Sequence, residues 1–381
     1  MRKFFLLPLL ALATLAVNAA TADAQFLVDR EAAKRFATMP AVESAVADFP
    51  EGITVNPANG DIYVGTFDFG GDNFLVRFDK TGQFISQTAD LVAPILGLAF
   101  GPDGKIYFCF VGDFTGQGSQ IKRISADLAT IEDVANIPGI GAPSDRIVDN
   151  PDGSTDRIIF GDTDMGFIAR VPNALTFNSS GDLFISDSFQ GAIFRIDGVA
   201  ANICPGSDSC VDTVVHDGLL ATAGSPAFGA NGLALSDDEM TLFVANTGDD
   251  RVLKLPIDED GDADGDLAVF AESINGADGL AFDDEGRLWV AANQADEMVA
   301  LDGDGKVIAK LGDFFGIRKD GAVKGLIFPA SVVIHDSQMF VTNAALTGND
   351  IPDDEVEEGV TTYTVARIKI PNFTGANSRT R

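Results

Sequence analysis

This sequence predicts an all-β fold, a six-bladed β-propeller of four-stranded antiparallel blades closed by an N-terminal strand, on three observations. The first is a two-strand phrase that recurs six times. It opens at Glu51-Gly52-Ile53, Leu96-Gly97-Leu98, Asn173-Ala174-Leu175, Asn231-Gly232-Leu233, Asp278-Gly279-Leu280 and Ala330-Ser331-Val332. An aromatic on a second strand follows each opening 10 to 12 residues later: Tyr63, Tyr107, Phe184, Phe243, Trp289 and Phe340. A small residue, an aliphatic and an aromatic at near-constant spacing mark a stacked repeat.

The second observation is that every copy continues into a third alternating segment: Phe74 to Phe78, Ile121 to Ile124, Ala192 to Ile196, Arg251 to Leu255, Met298 to Leu301 and Val365 to Ile370. Five copies add a fourth: Phe84 to Thr88, Ile131 to Ile137, Asp212 to His216, Ala268 to Glu272 and Val307 to Leu311. Their β-branched and aromatic residues, separated by Gly, Asp, Asn and Pro turns, read as strands. The third observation is that nothing after Ile370 supplies a fourth strand to the last copy. The segment Val42 to Phe49 is expected to do so, pairing with Val365 to Ile370 and leaving no open edge at the seam.

Residues 1–24 read as an export signal. Arg2 and Lys3 precede an apolar run from Phe4 to about Val17, and Ala22-Asp23-Ala24 suits cleavage before Gln25. The expected mature chain, 25–381, is a single propeller domain, monomeric and periplasmic or secreted, with no membrane span after cleavage. The whole chain carries a formal charge of −31, and loss of Arg2, Lys3 and Asp23 leaves −32. Such a field repels nucleic acid and anionic lipid and attracts cations. Of the three cysteines, Cys204 and Cys210 enclose a turn-forming spacer and are expected to be bridged in an oxidising compartment, whereas Cys109 sits mid-strand as a buried apolar residue.

In a propeller the first strands line the central channel and run the same way, so the six openers form a ring at one mouth. The small residue after each opener fits where the strands crowd, and the aliphatic third residue turns into blade-to-blade packing. Packing does not account for the openers themselves. Glu51 and Asp278 bring carboxylates and Asn173 and Asn231 bring amide carbonyls, a hard-oxygen set suited to calcium or another divalent cation. Asx residues before Gly are common in turns, but four at one register position of a repeat are not explained that way. Asp260-x-Asp262-x-Asp264-Gly265 opens like a calcium loop, yet Ala271 stands where such a loop needs its terminal Glu. It reads as a solvated acidic hairpin.

The phrases Pro50-Glu51-Gly52-Ile53, Pro172-Asn173-Ala174-Leu175, Ala230-Asn231-Gly232-Leu233 and Ala277-Asp278-Gly279-Leu280 resemble those of the senescence marker protein, gluconolactonase and luciferin-regenerating enzyme-like family. The resemblance covers roughly Val42 to Ile370 in blade pattern. It implies that Glu51, Asn173, Asn231 and Asp278 hold a catalytic divalent metal and that Asp278 is also the general base or nucleophile. The paraoxonase-type histidine pair has no counterpart, since His216 falls on an outer strand and His335 on the far face.

Two functions follow as expectations. One is calcium-dependent hydrolysis of a small-molecule lactone or ester. The other is a non-enzymatic propeller that binds a ligand or protein above a structural calcium. Phe67, Phe69, Phe110, Phe114, Phe314, Phe315 and Phe328 fall in expected mouth-side positions and suggest a partly apolar entrance. The long insertions Gly139 to Pro172 and Ala344 to Thr362 lie at the same mouth, where loops of that length act as lids or binding loops.

Overall fold

The computed structural model describes residues 26–41, 49–68, 71–113, 118–160, 169–346 and 359–372. The repeat phrases become the first strands of six blades: Phe49–Val55, Ile95–Phe100, Pro172–Phe177, Ala230–Leu235, Ala277–Phe282 and Pro329–His335. Each blade is an antiparallel sheet of four consecutive positions from channel to rim. The fourth strands in blades three, four and five fall at Asp212–His216, Ala268–Glu272 and Val307–Leu311, as their alternation predicts. A single-turn helix follows the second strand of blade five at Asn293–Ala295.

Six apolar clusters hold the ring, one at each joint between blades. In each, the second-strand aromatic of one blade meets the third phrase residue of the next. Tyr63 packs with Leu98, Phe184 with Leu233, and Trp289 with Val332. The last joint closes the ring, placing Phe340 of blade six beside Ile53 of blade one. Glycine follows the opener where backbones nearly touch. A Cβ on Gly52, Gly97 or Gly232 would come within 2.1, 2.3 or 2.2 Å of the backbone oxygens of Leu96, Asn173 or Asp278 on a facing blade.

The closing strand is N-terminal, as expected, but it is Lys34–Thr38. It pairs with Thr364–Lys369, with Lys34 opposite Arg367 and Thr38 opposite Thr364. Phe49 instead begins the first strand of blade one, and residues 42–48 lie outside the described residues. The segment Lys-Arg-Phe-Ala-Thr is short and charged, so its alternation is faint in sequence. Those charges suit an edge strand, which must not template further pairing. Phe36 stacks edge-on against Phe340 at 4.7 Å, and Ala37 and Met39 are buried in the closing joint. A second N-terminal strand, Leu27–Asp29, adds in parallel to the rim of blade five.

The insertion after blade two folds into a hairpin, Arg146–Asp149 with Thr155–Ile158. It is tied to blade four by an ion pair between Arg146 and Asp249. Residues 161–168 and, in the last insertion, 347–358 lie outside the described residues. Residues 1–25 do as well, and with them the expected export signal 1–24.

Cys204 and Cys210 are bonded to each other and Cys109 is buried and reduced. The closed loop docks on the rim of blade two: Cys204 N–H donates to Val134 O and Asn136 N–H to Ser207 O, both at 2.8 Å. The disulfide therefore closes a loop of blade three that backbone hydrogen bonds dock on blade two. Loop-closure entropy for so short a ring is about 2 kcal/mol. The Cys204→Ser/Cys210→Ser protein is expected to lose about that much stability in urea unfolding. A loss near zero would mean that backbone pairing alone holds the loop.

Candidate functional site

In all six blades the pairing of first and second strands breaks over the same two residues, the opener and its small neighbour. The register shifts lie between Pro50 and Ile53, Ile95 and Leu98, Pro172 and Leu175, Ala230 and Leu233, Ala277 and Leu280, and Pro329 and Val332. Such bulges re-aim a side chain. Here they turn six openers into the channel mouth, and all six are buried. Glu51, Leu96, Asn173, Asn231, Asp278 and Ala330 line one cavity, open to solvent above. The structure thus brings together all four of the oxygen-bearing residues picked out by the sequence.

A second row, 14 to 16 residues after the openers, stands just above them: Phe67, Val111, Ser188, Thr247, Asn293 and Ala344. Its polar members serve blades three, four and five. Ser188 Oγ donates its one proton to Ala230 O at 2.7 Å, so it can only accept from Asn173. The atom facing it, at 2.8 Å, must be Asn173 Nδ2. Thr247 does the same in blade four, donating to Ala277 O at 2.7 Å and accepting from Asn231 Nδ2 at 2.9 Å. Both amides are thereby fixed with Nδ2 committed, which leaves each carbonyl Oδ1 as the acceptor available to the channel.

Asn293 takes this place in blade five and donates from Nδ2 to Asp278 Oδ2 at 3.0 Å. Asn293 Oδ1 lies against Gly276, where a Cβ would come within 1.8 Å of it. Gly276 has φ 66°, so glycine is required there on two counts. Two further hydroxyls lock the ring: Ser186 Oγ donates to Asn231 O and Thr342 Oγ1 to Glu51 O, each at 2.7 Å.

The carboxylates are left incomplete. Among the described residues, Asp278 Oδ1 and Glu51 Oε2 are buried without a hydrogen-bond partner. Phe67, the second-row residue of blade one, offers Glu51 no polar atom. Burial raises the Glu51 carboxyl well above the ordinary range, and the facing Asp278 charge adds to it. Burial likewise raises Asp278, against hydrogen bonds from Asn293 and Asn231. No Lys, Arg or His lines the cavity among the described residues. Two orphaned carboxylate oxygens and two oriented amide carbonyls fit a hard divalent cation, because each oxygen would otherwise be buried unpaired. Among the described residues no group of three or more His, Cys, Asp or Glu is placed to hold a metal, so a site here would draw on the amides as well as the two carboxylates.

The other expectations divide. Phe67 and Phe328 line the cavity, joined by Phe49 and Phe228, which the sequence reading had not placed there. Phe110 packs beneath Lys122, 4.7 Å from ring centre to Nζ, and Phe314 packs in a hairpin core with Val323 and Ile327. Phe315 is exposed beside Lys324. Phe69 and Phe114 lie outside the described residues. His335 sits at the far-face turn of Gly60, and neither histidine lines the cavity. In the acidic hairpin Asp258 caps the turn through the N–H groups of Asp260 and Asp262, and Asp262 pairs with Arg195 at 2.8 Å.

Residues 204–312, which include Asn231 and Asp278, match the SMP-30/Gluconolactonase/LRE-like region. A curated protein, Lactonase drp35 of Staphylococcus saprophyticus, is 26% identical over 159 residues, a match spanning 42% of this chain and 37% of that protein's length. Regucalcin of Agrobacterium tumefaciens, a calcium-binding protein, shares the fold with a TM-score of 0.59 at 16% identity, over 90% of this chain and 95% of its own. A gluconolactonase of Xanthomonas campestris does so with a TM-score of 0.53 at 17% identity, over 86% and 87%. At those identities the structural likeness is one of fold. The resemblance carried by the ring phrases is therefore the one the comparisons return, and the chain is a six-bladed propeller bearing an SMP-30/Gluconolactonase/LRE-like region.

Proposed function

We propose that this protein is a calcium-dependent hydrolase of small lactones or related esters. The observation that carries the reading is the pair of buried, unpartnered oxygens, Asp278 Oδ1 and Glu51 Oε2, in the wall of one open cavity. Glu51, Asn173, Asn231 and Asp278 would hold the ion, whose contribution when bound is to polarise the scissile carbonyl and steady the developing oxyanion.

The chain's own groups do the rest. Asn293 fixes the Asp278 carboxylate through Oδ2, so Oδ1 is the oxygen that takes a proton from water or attacks directly. Ser188 and Thr247 hold the two amides in one orientation, so no reorganisation is needed when substrate arrives. Phe49, Phe67, Phe228 and Phe328 keep bulk water from the cavity wall. The similarity to a curated lactonase supports the substrate class.

The test is turnover of lactones and aryl esters by protein stripped with a chelator and then resupplied with calcium. Activity that disappears and returns supports the reading. No turnover in either state, with calcium still raising thermal stability, supports the binding propeller instead. We also propose export to the periplasm or beyond from the leader-like residues 1–24. An exported protein that does not begin at Gln25 would contradict the cleavage site.

A further inference from the structure

The mouth cavity is divided. Its polar groups come from blades three, four and five, while the arc over blades six, one and two is apolar apart from Glu51. Blade six is also the smallest in both rows. Ala330 stands in the opener ring between Asp278 and Glu51, and Ala344 stands above it, where other blades carry Phe67, Val111 or Thr247. Both alanines are about 2% exposed and pack with Phe328 and Leu346. This small-residue side of the cavity, the gap, adjoins the two carboxylates, and Phe328, Leu346, Phe49 and Phe67 line the cavity with it.

Phe328 has a backbone of φ 42°, a conformation that bulky residues rarely adopt. It is held there by two bonds. Its N–H donates to Asp296 Oδ1 at 2.8 Å and its carbonyl accepts from Ala344 N–H at 3.1 Å. Strain of this kind persists where the surroundings fix a residue for use. Here it places an aromatic ring on the roof of the gap.

We propose that this gap is an apolar subsite for the uncharged alkyl or aryl substituent of the substrate, with Ala330 and Ala344 setting the length it accepts. The head-group assignment rests on the hydrolase reading above, whereas the subsite does not. A polyol lactone would bring several hydroxyls to a wall whose described side chains, Glu51 and Asp278 apart, offer no donor or acceptor, at about 1–3 kcal/mol for each one left unpaired. An anionic substituent would lie beside Glu51, and among the described residues no Lys, Arg or His lines the cavity to receive it. A neutral hydrocarbon chain instead gains about 0.8 kcal/mol per buried methylene.

The experiment is displacement of the neutral fluorophore N-phenyl-1-naphthylamine from calcium-loaded protein. The competitors are δ-decalactone, δ-valerolactone and glucono-δ-lactone, and turnover of the same three is recorded in parallel. The expected order is δ-decalactone at least about tenfold ahead of δ-valerolactone, with glucono-δ-lactone failing to compete. Ala344→Leu fills the gap and should reduce the decalactone-to-valerolactone ratio by about tenfold. Ala344→Ser, nearly equal in volume, should lower the ratio in a protein that still melts cooperatively, and serves if the leucine does not fold. An equal or preferred glucono-δ-lactone, or a ratio unchanged in a folded variant, overturns the subsite. The expected order without turnover overturns the hydrolase reading and leaves the subsite standing.

Discussion

Asparagine in place of Asp278 should lower lactone turnover by about two orders of magnitude or more, the scale of losing a general base, at saturating calcium. The substitution keeps an oxygen at the same reach and keeps the partner Asn293, whose Nδ2 lies 3.0 Å from Asp278 Oδ2. What it removes is the charge and the proton acceptor at Oδ1. Glu51→Gln differs, because Glu51 has no second-row polar partner and contributes mainly charge. Its first effect should be weaker calcium binding, with activity partly recovered as calcium is raised. Steady-state kinetics across a calcium titration separate the two. Full activity in a calcium-saturated Asp278→Asn protein would remove Asp278 from the chemistry.

Deleting residues 26–38 should abolish cooperative folding. The deletion removes Lys34–Thr38, the rim strand of blade six, together with Leu27–Asp29 on the rim of blade five. It takes Phe36 from its stack on Phe340 and Ala37 from the buried closing joint. A half-buried aromatic, a buried alanine and a whole rim strand go together, against a net domain stability of only about 5–15 kcal/mol. A chain starting at Gln25 keeps both strands and should melt as one unit. Size-exclusion profiles and thermal unfolding of the two chains decide the matter. A monomeric, cooperatively melting deletion protein would show that the ring does not depend on this closure.

The architecture was legible because the joints repeat. An aromatic at Tyr63 or Trp289 meets an aliphatic at Leu98 or Val332 in every joint, so the same constraint is written six times. The four oxygen-bearing openers were legible for the same reason, since the repeat fixes where they stand. The closing strand was not, because Lys34 to Thr38 is a charged edge with one face of contact. Val42 to Phe49 carries more apolar residues and looked the better strand. The bulge that turns the openers inward leaves no sequence mark beyond the small residue after each. The supporting row was visible in principle. Ser188, Thr247 and Asn293 recur 15 or 16 residues after Asn173, Asn231 and Asp278, and polar residues at a repeat position beside ligands are a usable signal. Which phenylalanines face the cavity depended on loop paths that alternation does not specify. Phe314 and Phe315 entered a hairpin of their own, Phe314–Ile317 with Val323–Gly325, and neither is among the cavity's lining residues.

The central claim is that Glu51, Asn173, Asn231 and Asp278 form one cation site. Calorimetric titration of calcium into chelator-stripped protein tests it most directly, comparing the native chain with the Glu51→Gln/Asp278→Asn double variant. The double variant keeps one carbonyl oxygen at each of the two positions and removes both charges. The account predicts one tight equivalent per chain in the native protein and its loss in the variant, with the circular dichroism of the propeller unchanged. Tight binding of one equivalent to the folded variant, with affinity undiminished, would place the ion elsewhere on this acidic chain and contradict the site.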